Sequence, residues 1–137
     1  MRKILKIALL LITTVYLTGC KKDKAPDPRD IFISTYSVTE SWTDNGKQLT
    51  KPAFTMTVEK SSQHTDMILL NNFANYGAGT TVEATVSGPK ITLASQTLPN
   101  LKAITGSGTL ADPTLTFNYS ESINNISIEI TATAKKK

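Results

Sequence analysis

Thr114-Leu115-Thr116-Phe117-Asn118-Tyr119-Ser120 decides the fold of this chain. Apolar and aromatic residues take every second position, and threonine, asparagine and serine fill the gaps. A backbone with that period turns one face to a core and the other to water, as antiparallel strands do. The same alternation runs through Phe54, Met56 and Val58, through Val82, Ala84 and Val86, and through Ile126, Ile128, Ile130 and Ala132. Threonine crowds the outward positions, where a pleated, half-solvated surface suits it. From Ile31 onward no segment carries a helical stripe.

Turn chemistry punctuates these runs. Asp44-Asn45-Gly46 closes the first strand, and Asn-Gly is a strong hairpin signal. Tyr76-Gly77-Ala78-Gly79, Ser87-Gly88-Pro89-Lys90, Ala111-Asp112-Pro113 and Ser122 to Asn125 mark later turns, and Gly106-Ser107-Gly108 flanks a short strand around Thr109-Leu110. Strands are predicted near residues 33–42, 52–60, 66–73, 80–87, 90–95, 104–111, 113–120 and 125–134, with Gln96 to Leu98 prolonging the fifth. Consecutive strands joined by tight turns make a meander, and closure removes its adhesive edges. The predicted fold is all-β: an antiparallel, up-and-down, eight-stranded barrel, with a β-sandwich as the alternative.

Several of these segments resemble a known group. Phe32-Ile33-Ser34-Thr35-Tyr36-Ser37-Val38-Thr39-Glu40 is similar to the first strand of small lipocalin-like lipoproteins of the gut Bacteroidetes. Ile68-Leu69-Leu70-Asn71-Asn72-Phe73, Ala84-Thr85-Val86-Ser87-Gly88, Gly106-Ser107-Gly108-Thr109-Leu110 and Phe117-Asn118-Tyr119-Ser120 extend the likeness. These motifs are structural, so the resemblance implies a calycin-like barrel and no defined chemistry.

The N-terminus carries a different message. Arg2, Lys3 and Lys6 precede an apolar run from Ile7 to Leu17, and Leu17-Thr18-Gly19-Cys20 ends it. The charges hold the N-terminus inside, and the run is too short for a permanent span. Small Thr18 and Gly19 give a peptidase access to the bond before Cys20. The segment resembles the bacterial lipobox, which implies cleavage between Gly19 and Cys20 and acylation of Cys20, with palmitate among the acyl chains. Cys20 is the single cysteine of 137 residues, so no internal disulfide exists, and acylation disposes of a lone exported thiol. Two or more acyl chains anchor stably, at about 0.8 kcal/mol per buried CH₂.

Lys22-Asp23 matches the lysine-then-acid address of surface-exposed lipoproteins of the Bacteroidetes type, although Lys24 replaces the second acid. The expected location is the outer membrane, lipid-anchored, with surface exposure as one version and a plain charged spacer as the other. Pro26 and Pro28 stiffen the segment that follows, and Asp27-Pro28-Arg29-Asp30 could start a helical turn. The expected organisation is a signal peptide over 1–19, a lipidated tether over 20–30, a barrel over 31–134 and a basic tail over 135–137.

Charge removes one class of function. The chain is formally +4, but between Ile31 and Ala134 five basic residues face eight acidic ones. A nucleic-acid binder needs a basic face on its folded body, so no nucleic-acid partner is expected. Catalytic and metal chemistry find little footing. His64, the only histidine, sits in a polar connection beside Asp66 and cannot complete a zinc site without further ligands. Glu59, Glu83 and Glu129 fall on outward strand positions, and the acids are scattered singly rather than paired as glycoside hydrolysis requires. Asp44-Asn45 falls short of a calcium ligand set, and Gly77 with Gly79 lacks the lysine and helix of a phosphate loop.

Tyr36, Trp42, Phe54, Phe73, Phe117 and Tyr119 are the candidates for lining a ligand cavity. They are also what an ordinary core of this size needs, and a barrel this small is usually filled by its own side chains. The expectation is a non-enzymatic envelope lipoprotein without cofactor or metal, held to the membrane at Cys20. Its partner is a small apolar ligand or, alternatively, another envelope protein or a glycan.

Overall fold

The computed structural model describes residues 25–137, so Gly19 and Cys20, the expected cleavage and lipidation positions, lie outside the described residues. Nine strands follow one another: β1 (Ser34–Asp44), β2 (Lys47–Thr50), β3 (Phe54–Lys60), β4 (Met67–Asn71), β5 (Thr81–Ser87), β6 (Lys90–Thr97), β7 (Ala103–Ala111), β8 (Thr114–Ile123) and β9 (Ile126–Lys136). From β3 to β9 each strand pairs antiparallel with the next, and β3 also pairs with β1. β9 returns to β1, from Tyr36 opposite Lys136 to Trp42 opposite Ile130. The sheet therefore closes as an eight-stranded up-and-down barrel, not as the two stacked layers of a sandwich.

β2 stands outside that circuit. It pairs only with the upper half of β1, from Ser41 opposite Thr50 to Asp44 opposite Lys47. Asn45 and Gly46 both take positive φ, as a two-residue hairpin turn demands. The predicted second strand began at 52; instead the chain makes this flap first, and β3 starts at Phe54. Lys47-Gln48-Leu49-Thr50 has one apolar residue and no alternation to reveal it.

The alternation fixes which side chains face inward. Tyr36, Val38, Met56, Val58, Ile68, Leu70, Val82, Ala84, Ile91, Leu93, Ile104, Leu115, Phe117, Tyr119, Ala132 and Ala134 are all buried in one core. Phe73, in the connection after β4, adds its ring, edge-on to Tyr119 at 4.8 Å between centroids and 6.0 Å from Phe117. Gly106 and Gly108 occupy inward positions in the middle of β7 rather than flanking a short strand. A Cβ at Gly106 would stand 2.6 Å from that of Tyr119, and one at Gly108 would stand 2.6 Å from that of Phe117. These glycines let the backbone and Cβ atoms of β8 approach closely where Phe117 and Tyr119 turn inward.

One end of the barrel is closed and the other flares. At the floor lie the start of β1 and the turns β3–β4, β5–β6 and β7–β8. A 3₁₀ turn, Asp30–Phe32, seals it with the fully buried Phe32, and the Tyr36 hydroxyl donates to the Phe32 carbonyl at 2.8 Å. The expected helical turn at 27–30 thus appears slightly later, after Pro28. The stretch read as tether is fastened to this floor from Asp27 on. The Arg29 guanidinium grips Asp27 at 2.7 Å and donates to the His64 carbonyl at 2.9 Å and the Ser61 carbonyl at 3.2 Å. Of the residues read as a basic tail, Lys135 and Lys136 belong to β9, where Lys136 Nζ pairs with Asp112 and donates to the Ile31 carbonyl.

Candidate functional site at the barrel mouth

The opposite end collects the β1–β2 hairpin, the β4–β5 connection, the β6–β7 loop and the β8–β9 hairpin. The two hairpins rise past the last β1–β9 pair and part. Cross-strand partners share a face, so Trp42 and Leu49 line one rising hairpin, and Ile123, Ile126 and Ile128 line the other. Between them runs a groove of about 560 Å³, bordered by Trp42, Asp44, Gln48, Ile126, Ile128 and Glu129. Ile126 is 66% exposed, and Leu101 on the β6–β7 loop is 77% exposed.

Below the rim lies a second cavity of about 150 Å³, lined by Trp42, Lys51, Tyr76, Lys102, Glu121, Ile128 and Ile130. Its polar residues, with Glu40 and Tyr119 behind them, form two linked clusters. Glu40, 1% exposed, accepts from the Tyr119 hydroxyl at 2.8 Å and from Lys51 Nζ at 2.9 Å. Lys51 Nζ also donates to the Ala74 carbonyl at 3.1 Å. Glu121, 6% exposed, accepts from the Tyr76 hydroxyl at 2.8 Å and from Lys102 Nζ at 2.9 Å, while Lys102 also donates to the Tyr76 oxygen. Both ammonium groups stand over the Tyr76 ring, Lys51 at 5.1 Å and Lys102 at 4.7 Å from its centroid. Among the described residues no buried side-chain nitrogen or oxygen lacks a partner.

The electrostatics follow from burial and these bonds. Burial, with the charge and hydrogen bond of Glu40, drives the Tyr119 hydroxyl far above the ordinary phenol range. Burial also raises Tyr76; its contact with Lys102 opposes that rise and its contact with Glu121 adds to it. For Lys102, burial pulls the ammonium down, but hydrogen bonds to Tyr76 and Glu121 outweigh it and the net shift is upward. These protons are held firmly.

Backbone strain gathers here as well. Asn72, Ala74 and Asn75 all have positive φ, and Ala74 does so without glycine's freedom. The contortion aims the Ala74 carbonyl at Lys51 and brings Phe73 and Tyr76 over the barrel.

The six aromatic candidates divide unevenly. Trp42 borders both the groove and the cavity. Tyr36, Phe54, Phe73, Phe117 and Tyr119 are buried in the packed core, and Tyr36 and Phe73 have no surface that water could touch. No water-sized void adjoins those two rings, so the space they occupy is filled by protein. His64 lies in the β3–β4 turn, where its carbonyl serves Arg29. Among the described residues no three His, Cys, Asp or Glu side chains converge as metal ligands do.

Glu40, Glu121, Lys51, Lys102 and Tyr76 escaped the sequence reading. The two acids were legible by parity, since Glu40 follows Tyr36 and Val38, and Glu121 follows Phe117 and Tyr119. Nothing in the sequence places Lys51, Tyr76 and Lys102, which stand on connections without periodicity.

Comparison with known proteins supports the fold. A scan of protein-family models finds no match, and neither does a search of curated proteins. Among solved structures, the chain is similar to one described as a "putative outer membrane protein" from Bacteroides fragilis NCTC 9343. The two share 21% identity at a TM-score of 0.53 over 81% of this chain. The match covers 53% of the other protein, so this chain spans about half that neighbour's length. What the likeness establishes is a shared barrel architecture.

Proposed function

We propose that this protein is a non-enzymatic, lipid-anchored lipoprotein of the outer membrane, lipocalin-like in build, that presents a binding mouth away from the bilayer. The observation that carries this reading is polarity. The chain reaches the barrel at its sealed floor, through Asp27 and Arg29, while the groove and cavity open at the other end. An acyl group on Cys20 would therefore pull on the floor and leave the mouth facing outward.

A binding role rather than catalysis is favoured because the two buried carboxylates at the mouth are already engaged. Glu40 is held by Tyr119 and Lys51, and Glu121 by Tyr76 and Lys102, which leaves neither free as a general base. Because Tyr36 and Phe73 are packed without room beside them, the mouth rather than the interior is the candidate place for a small apolar ligand. The outer-membrane description of the Bacteroides neighbour agrees with an envelope location.

Feeding cells an alkyne-tagged fatty acid tests the anchor. The expected result is label on the wild type and none on Cys20→Ser, which should accumulate as uncleaved precursor. Processing and membrane retention of the serine form would overturn the reading. Protease shaving of intact cells then decides whether the mouth faces the medium or the periplasm. A second reading, an accessory lipoprotein that contacts an envelope protein or a glycan, draws on exposed Leu101 and Ile126 at the rim. Crosslinking from Leu101→Cys, which would trap a protein partner, separates it from the first.

A further inference from the structure

The ligand's chemistry follows from which hydrogen-bonding capacity the mouth has left over. The oxygens of Glu40 take Tyr119 and Lys51, and those of Glu121 take Tyr76 and Lys102. The Tyr76 hydroxyl both donates to Glu121 and accepts from Lys102. An ammonium carries three N–H donors. Lys51 spends two, on Glu40 and Ala74, and Lys102 spends two, on Tyr76 and Glu121. Among the described residues one donor on each lysine has no partner, and both lysines line the cavity with their side chains about one-third exposed. The remaining walls are the rings of Trp42 and Tyr76 and the hydrocarbon of Ile128 and Ile130.

We infer that the mouth binds a monoanionic amphiphile, its head seated between Lys51 and Lys102 on Tyr76 and its apolar body lying past Trp42 and Ile128. This rests on the reading of the mouth as a binding site. The cavity of about 150 Å³ has the volume of roughly five water molecules. That accommodates a carboxylate or a phosphate head with the first few carbons, and no more. The longer groove shares Trp42 and Ile128 with the cavity, so a chain leaving the head continues directly between the two hairpins. Hydrogen bonds to a charged group are the stronger kind, and Glu40 and Glu121, being engaged, offer nothing to a cationic head; Asp44 and Glu129 border the outer groove and do not line the cavity that seats the head. The head thus meets donors and the first carbons meet hydrocarbon, while the outer groove offers Trp42, Ile126 and Ile128 among polar neighbours such as Ser41, Thr43 and Gln48.

Trp42 is the sole tryptophan of the chain, so its fluorescence reports on this site alone. The full chain carrying Cys20→Ser, which removes any competing acyl group, is titrated below micelle-forming concentrations with decanoate, decanol and decyltrimethylammonium. Decyl phosphate in a fourth arm separates the two anionic heads. The expected result is saturable binding of one or both anions at least tenfold tighter than decanol, with the cation weakest. In Lys102→Met the anions should fall to the level of decanol while decanol itself is unchanged. Equal binding of all heads, or preference for the cation, overturns the inference and leaves a plain apolar mouth. Silence of Trp42 toward every probe, with no heat on titration calorimetry, overturns the mouth as a binding site as well. Should Lys102→Met fail to fold, the comparison of heads on the unsubstituted mouth still decides.

Discussion

The two ends of the barrel solve opposite problems with similar residues. Each has a tyrosine hydroxyl turned inward, Tyr36 at the floor and Tyr119 toward the mouth. The floor tyrosine donates to a backbone carbonyl, that of Phe32, and a ring seals the opening. The mouth tyrosine donates to a carboxylate, which needs a lysine, which in turn needs the carbonyl of a strained alanine. A neutral hydrogen bond ends where it starts, whereas a buried charge recruits a chain of partners. The floor is closed by a neutral bond and a ring, whereas the mouth holds buried charges on a chain of partners.

Truncating the floor plug should have the largest effect. Phe32→Ala removes a fully buried ring and is expected to destabilise the barrel by about 3–5 kcal/mol, read as a lowered urea midpoint. At the mouth, Lys51→Met leaves Glu40 buried without its counter-ion. The full penalty for such a break is about 3–5 kcal/mol, and the partial exposure of Lys51 should reduce it to about 1–3 kcal/mol. Adding Glu40→Gln should recover most of that loss; failure to do so would mean the mouth is held by packing, as the floor is.

Alkali should weaken both ends. Burial raises Tyr36 to about 12 and Tyr119 further still, and Lys102 is raised by its partners. Each folded-state pKa lies above its unfolded value of about 10. The stabilisation is therefore whole below pH 10 and drains away above it, as the unfolded chain gives up protons that the folded one retains. A melting temperature that falls steeply between pH 10 and 12 is the expected outcome. Tyr119→Phe should flatten that slope more than Tyr36→Phe.

Acid should show the smallest effect, confined to the segment before the floor. The Arg29 guanidinium and, next, the Arg29 backbone N–H donate to Asp27 and hold it well below the ordinary carboxylate range, with Lys60 adding a smaller share. Its contribution is present above about pH 4 and is lost as the pH drops through the depressed value. Residues near Asp27 should then exchange amide hydrogens faster in acid while the strands keep their protection. Asp27→Asn should show the fast exchange already at neutral pH.

How much of this was legible depends on what repeats along the chain. The barrel strands announce themselves because a half-buried strand must alternate, and Thr114 to Ser120 does so without a break. β2 hides because a flap paired on one edge, with little buried area, imposes no such pattern. The mouth was legible only in part, since Glu40 and Glu121 are brought together by closure of the sheet across a long separation in sequence. Their inward parity was there to be seen, but acids are usually found outside. Gly106 and Gly108 read as turn residues because glycine does serve turns, whereas here it makes way for aromatic neighbours on β8.

The pairing of β1 with β9 has a consequence for how the molecule forms. Thr39 meets Thr133 across 94 residues, so the ring is completed by pairing the first strand with the last, a non-local step of the kind that slows folding. A chain that emerges from its N-terminus must hold seven strands in waiting, with β1 and β8 as bare edges, until the last dozen residues arrive. Deleting those residues would not yield a smaller barrel. It would yield an open ribbon, ready to zip onto its neighbours.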